Sequence, residues 1–238
     1  GGRATANTDD IATWDGAAAL IACAIDTFGA VDTVVNNAGV VRDRMFTNAT
    51  EDEFDATIAV HLKGHFAVAR HAAAWWRAEA KDGRDTAGRI INTSSGAGLL
   101  GSVGQAAYSA AKAGIVGLTL VQAAELSRYG ATANAIAPVA RTRMTEDVFA
   151  DDMAAPESGF DAKSPDNVAP LVAWLGSDRA GHVSGRVFEI DGGLLTVMDG
   201  FRHSASSDKG DRWDAAELDD VVNSLLDQGP DPEPAYGT

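Results

Sequence analysis

Apolar residues along the chain follow two rhythms. Four short runs are bounded by glycine, proline or asparagine: "VDTVVNNA" near 31–38, "GRIINTSS" near 88–95, "ATANAIAP" near 131–138 and "GRVFEIDGG" near 185–193. Continuous apolar runs of this length predict buried parallel strands. Between them the spacing turns helical. Over 13–28, Leu20, Ile21, Ala24, Ile25 and Phe28 share one face; a second helix is expected over about 52–80, where Thr50 and Glu53 stand at capping-box spacing. A third spans about 105–127, and a fourth, about 165–177, opens at Ser164-Pro165. Strands alternating with helices predict an α/β fold, a doubly wound parallel sheet with helices on both sides.

The stretch "QAAYSAAKAGIVGLTLVQAAEL" is small or apolar on nearly every side. Such a helix is expected to be covered all round, by the sheet on one side and by a second subunit on the other, in a homodimer or homotetramer. Past Gly200 the character changes. The pattern divides the chain into a core over 1–202 and an appendage over 203–238. The appendage reads as a polar linker, a short amphipathic helix and an acidic, proline-rich tail expected to be disordered. In that helix Asp214 and Glu217 have capping spacing, and Leu218, Val221, Val222 and Leu225 form the apolar stripe.

Length and charge narrow the function. At 238 residues the chain accommodates one large domain with a short addition. A formal net charge of −15 argues against nucleic acid or an anionic membrane as partner, because both would repel it. No run approaches a membrane span and Gly1 opens no signal peptide, so a cytoplasmic location is expected. Cys23, the single cysteine, cannot form an internal disulfide and sits in the apolar run "AALIACAI", where core packing is its expected role. His65, His71, His182 and His203 are scattered without metal-ligand spacing, so no metal site is expected.

The segment "TSSGAGLLGSVGQAAYSAAK" carries the chemistry. Tyr108 and Lys112, four apart on a predicted helix, share a face one turn apart. An ammonium beside a phenol is expected to lower a pKa that starts near 10, and a tyrosine moved toward neutrality can act as general acid or base. Ser95, thirteen residues before Tyr108 and at a predicted strand end, could hold a carbonyl or hydroxyl for that phenol. Within the same segment, Gly96, Gly98 and Gly101 satisfy the G-x-G-x-x-G spacing. No helix start and acidic strand end follow at the required distances, so the glycines are expected to form a flexible loop at the site. In "VVNNAGV", the small residues after Asn37 would let a flat ligand approach the backbone, and the amides of Asn36 and Asn37 could tie strand to strand.

Together, "NNAG" at 36–39, Ser95, "YSAAK" at 108–112, "IAPVARTRMT" at 136–145 and "FEIDGG" at 188–193 resemble the short-chain dehydrogenase/reductase family in order and spacing over about residues 4–200. "NNAGVVRDRMF", "VHLKGHF", "GQAAYSAAKAGIVGL" and "VAPLVAWL" resemble more closely the 3-hydroxyacyl-CoA dehydrogenase part of peroxisomal type 2 multifunctional enzymes and their bacterial relatives.

The resemblance implies a Rossmann-type fold and an NAD- or NADP-dependent interconversion of a secondary alcohol and a ketone on a small molecule, including an acyl-CoA. Tyr108 would be the acid/base, Lys112 its pKa modulator and a ribose ligand, and Ser95 the hydroxyl that orients substrate. Asn37, Ala38 and Gly39 would flank the adenosine side, Asp10 or Asn7 the adenine edge, and Pro138, Val139 and Thr142 the nicotinamide. His61 stands where the family usually has asparagine serving a water relay to Lys112, and is a relay candidate. The family opens with a strand, a glycine-rich turn, a helix and a second strand; by that resemblance this sequence enters at the third strand, as expected of a fragment, or else of a chain whose missing unit another chain supplies. The alternative is a non-catalytic truncated subunit that acts through dimerisation.

Overall fold

A computed structural model describes residues 2–142, 153–200, 202–231 and 233–237. The described residues form two units, one from within 2–198 together with 235–237 and the other from within 199–234.

The larger unit is built on five strands, β1 (Thr33–Asn36), β2 (Arg89–Thr93), β3 (Thr132–Val139), β4 (Val187–Asp191) and β5 (Leu194–Met198), hydrogen-bonded in the order β1-β2-β3-β4-β5. The first four are parallel and β5 runs antiparallel to β4. This is a parallel-dominated α/β sheet of the expected class. β5 was not foreseen, because "LLTVM" lacks alternation and directly follows the turn at Gly192, whose φ is +56°. Leu194, Leu195 and Val197 remain exposed on it.

Period-two alternation sends successive strand residues to opposite faces. Ile90 and Ala133 face one core, with Ala17 and Ile21 of α1 (Trp14–Phe28) and Ala69, Ala72 and Trp76 of α3 (Gly64–Lys81). Ile91 and Ile136 face the other, with Phe188, Ile190 and Leu171 and Leu175 of α6 (Ala169–Leu175). Trp76 is fully buried, donates its indole N–H to the Val31 carbonyl at 2.7 Å, and presses on Gly88, where a β-carbon would come within 2.5 Å of its ring.

The helix expected over 52–80 is three pieces: α2 (Glu51–Ile58), a π-helical turn Ala59–Lys63, and α3. The Thr50–Glu53 capping box starts it, but sequence periodicity has no means of showing one wide turn inside an otherwise regular pattern. The glycine segment at 96–101 is not an open loop: Ser95 caps a helical turn, α4 (Gly96–Leu100). Helix α5 (Ala106–Leu126) buries Ala111, Lys112, Ile115, Thr119 and Gln122, a stripe at three- and four-residue spacing, and leaves Leu120 and Val121 half exposed. Cys23 is only partly buried. No helix among the described residues is long and apolar enough to cross a membrane.

In the smaller unit, Asp214 and Glu217 form the capping box that starts a short 3-10 turn leading into α7 (Leu218–Leu226). The tail expected to be disordered departs from that reading at its end, since Ala235–Gly237 belong to the larger unit.

Candidate active site

The candidate residues gather outside the carboxyl ends of the parallel strands, the position where open α/β sheets place their ligands. Asn37, Ala38 and Gly39 follow β1, Ser95 follows β2, and Pro138 and Val139 end β3, with Thr142 three residues on. The "RMT" that continues this segment lies outside the described residues. Asp10 lies before α1, where its carboxylate accepts the Ala12 N–H at 2.9 Å and its carbonyl accepts the Thr13 N–H. Asn7 bonds the Asp9 carboxylate.

Lys112 has only 3% of its surface exposed, and its ammonium donates to the Thr93 carbonyl at 2.7 Å. Ser94 Oγ donates to the Lys112 carbonyl at 2.9 Å, so the end of β2 and the start of α5 are tied twice. The approach is close because position 98 is glycine: a β-carbon there would stand 2.5 Å from Lys112 Cβ. The Lys112 nitrogen lies 5.5 Å from the centroid of the Tyr108 ring, and the Ser95 hydroxyl is near enough to the phenol to pull its pKa down. The structure therefore brings Ser95, Tyr108 and Lys112 together.

Electrostatics correct the expectation drawn from spacing alone. Burial lowers Lys112 to about 8. Burial raises Tyr108 above its ordinary value; the neighbouring Ser95 hydroxyl opposes this, and the Asp43 carboxylate adds to it. The amine is turned to a backbone carbonyl rather than to the phenol oxygen, so desolvation wins over the attraction that helix spacing suggested.

His61 joins the same group. The π-helical turn brings its imidazole edge-on to Tyr108, with ring centroids 5.1 Å apart, and beneath Gly39, where a β-carbon would stand 2.6 Å from Cε1. Nε2 lies 3.1 Å from the Val40 amide nitrogen and 2.7 Å from the Val40 carbonyl, while the buried Nδ1 has no protein partner. Burial, then the nearby Lys112 charge, lower its pKa to about 4, and the imidazole is neutral. His65, one turn on, is lowered to about 3 by the same two causes, with His61 adding to them.

Several participants escaped the sequence reading. Asn92, an amide inside the otherwise apolar "RIINT", accepts from Asn36 at 2.9 Å and donates to Thr119 and Gln122 at 2.9 and 2.8 Å, locking β1, β2 and α5 together. Thr119 and Gln122 are polar residues on the buried stripe of α5, the one signal that marked them. Asp43 accepts from Gln105 at 2.8 Å and pins the loop ahead of α5, while its other oxygen is buried without a partner.

A family model described as short chain dehydrogenase matches residues 1–153. The chain belongs to the short-chain dehydrogenase family. The members of this family are oxidoreductase enzymes. Among the similar proteins, the Mycobacterium tuberculosis hydroxyacyl-CoA dehydrogenase ChsB1 is 47% identical over 243 residues, covering 99% of this chain and 75% of that protein. The mouse peroxisomal multifunctional enzyme type 2 is 42% identical over 195 residues, covering 82% of this chain and 24% of the much longer enzyme. A crystal structure of a short chain dehydrogenase from Mycobacterium avium matches with a TM-score of 0.91 at 60% identity, covering 100% of this chain and 79% of that one.

As a short-chain dehydrogenase, the protein is expected to take a nicotinamide cofactor, and the residues present suit one. Ala38 and Gly39 leave the backbone open at the end of β1, and the unpartnered Nδ1 of His61 lies behind Gly39. No cluster of metal-ligating side chains occurs among the described residues.

Proposed function

We propose that this short-chain dehydrogenase interconverts a secondary alcohol and a ketone at the expense of NAD or NADP, on 3-hydroxyacyl-CoA substrates, with Tyr108 as the acid/base. The observation that carries this reading is Tyr108 set beside the Ser95 hydroxyl and backed by a buried lysine. The names of the relatives support the substrate class.

Tyr108 and Lys112, Asn37, Ala38 and Gly39, Asp10, and Pro138, Val139 and Thr142 would hold the cofactor, which when bound supplies or accepts the hydride. In the reducing direction the phenol, kept protonated by burial, gives its proton to the ketone oxygen. Ser95 positions that oxygen through its hydroxyl. The Lys112 ammonium, 5.5 Å from the ring centroid, stabilises the phenolate left behind. His61, neutral and with Nδ1 free of protein partners, passes protons between Lys112 and water.

Tyr108→Phe in the natural full-length protein is expected to lower kcat by about 100-fold or more, the usual scale for a lost general acid, while cofactor affinity changes little. Retained turnover refutes the assignment. The half-exposed Leu120 and Val121 on α5 support self-association as a homodimer or homotetramer, which sedimentation equilibrium measures directly.

A further inference from the structure

Ala235–Gly237 pack with the larger unit although the chain between them and β5 does not belong to it. The Tyr236 N–H donates to the Gly101 carbonyl at 2.8 Å. Its ring lies directly on Gly96, where a β-carbon would overlap Cδ2 and Cε2. Gly96 follows Ser95, and Gly101 ends the helical turn that Ser95 caps. The phenol is half-buried with Tyr108, Glu189 and Asp191 as electrostatic neighbours; burial and the two carboxylates hold it above its ordinary value, so it is neutral.

These neighbours give Tyr236 a side. The α4 turn presents one flank to α5, where Gly98 meets Lys112, and another to the Tyr236 ring at Gly96. Gly96, Gly101 and Tyr108, which Tyr236 meets, all stand around Ser95. What it flanks is the serine that positions the reacting oxygen.

We propose that Tyr236 forms the substrate-side wall of the site and selects among 3-hydroxyacyl thioesters by the bulk its ring leaves room for beside Ser95. The proposal rests on the functional reading above. A glycine at position 96 is what the arrangement needs, since any side chain there would displace the ring. Selection by bulk at an apolar wall is worth about 10-fold or more when a large group is removed.

The test uses the natural full-length protein with acetoacetyl-CoA and 3-oxohexadecanoyl-CoA as short and long substrates. Tyr236→Ala is expected to raise the long-to-short ratio of kcat/KM by about 10-fold, and Tyr236→Phe, which keeps the ring, is expected to hold the wild-type ratio. An unchanged ratio in the alanine variant overturns the proposal; so does an equal gain on both substrates, which would mean a plug and not a selective wall. Wild-type protein that turns over neither substrate refutes the functional reading instead. A second measurement then decides the placement without turnover. The chain has three tyrosines, and nitration by tetranitromethane, read by peptide mass, reports on Tyr108 with Tyr129 as internal reference. Tyr236→Ala is expected to speed nitration of Tyr108 several-fold, and an unaltered rate overturns the wall.

Discussion

Replacing Lys112 by methionine separates the cost of burying the amine from its catalytic use. Burial lowers the amine to about 8 in the folded protein from the ordinary lysine value of about 10.5. Between those values the unfolded chain holds a proton that the folded chain has released, so stability rises with pH. The penalty is full below about pH 8 and fades as pH climbs through about 10.5. At roughly one and a half kilocalories per mole per pKa unit it amounts to about 3 kcal/mol at pH 7, and most of it is relieved by pH 10. Methionine carries no charge, so its profile lacks this slope, although it removes the bond to the Thr93 carbonyl at an offsetting cost of about 1–3 kcal/mol. Urea denaturation of both proteins from about pH 7 to 10 gives the difference curve, in which groups common to both cancel. Wild-type protein should gain about 2–3 kcal/mol on the variant across that range. A curve flat to within about 0.5 kcal/mol would mean that the folded amine titrates like that of a free lysine, and the account of the site's electrostatics would fall.

Gly39→Ala drives a β-carbon into the His61 ring, and is expected to cost about 1–3 kcal/mol of stability by overpacking and to lower kcat, both measurable on one preparation. His61 is already neutral well above its pKa of about 4, so the kcat profile should show no limb between about pH 5 and 7; an inflection near 6.5 would contradict its burial. Trp76→Ala should lower unfolding stability by about 3–5 kcal/mol, as the loss of a fully buried indole predicts; a change under about 1 kcal/mol would show that the core does not depend on it.

The parallel strands, the long helices and the Ser95–Tyr108–Lys112 set were legible in the chain because each rests on local regularity: apolar runs, helical spacing, caps and a four-residue offset. Even the Thr50–Glu53 and Asp214–Glu217 capping boxes form as their spacing implied. Features that depend on neighbours distant in sequence were not legible. β5 exists because β4 offers it an edge, not because "LLTVM" alternates. The π-helical turn exists where His61 must meet Tyr108 and Gly39.

The sequence by itself determined which residue types can exchange a proton and roughly on which elements they sit. Tertiary structure decided their state. Spacing places an ammonium near a phenol, but only packing determines how much water each group loses, and here that loss lowers the amine and raises the phenol. The same holds for Tyr236: its acidic, proline-rich surroundings predict a free tail, whereas the glycine at position 96 supplies a surface on which its ring can lie. Desolvation and contact are properties of assembled surfaces, and no local pattern encodes them.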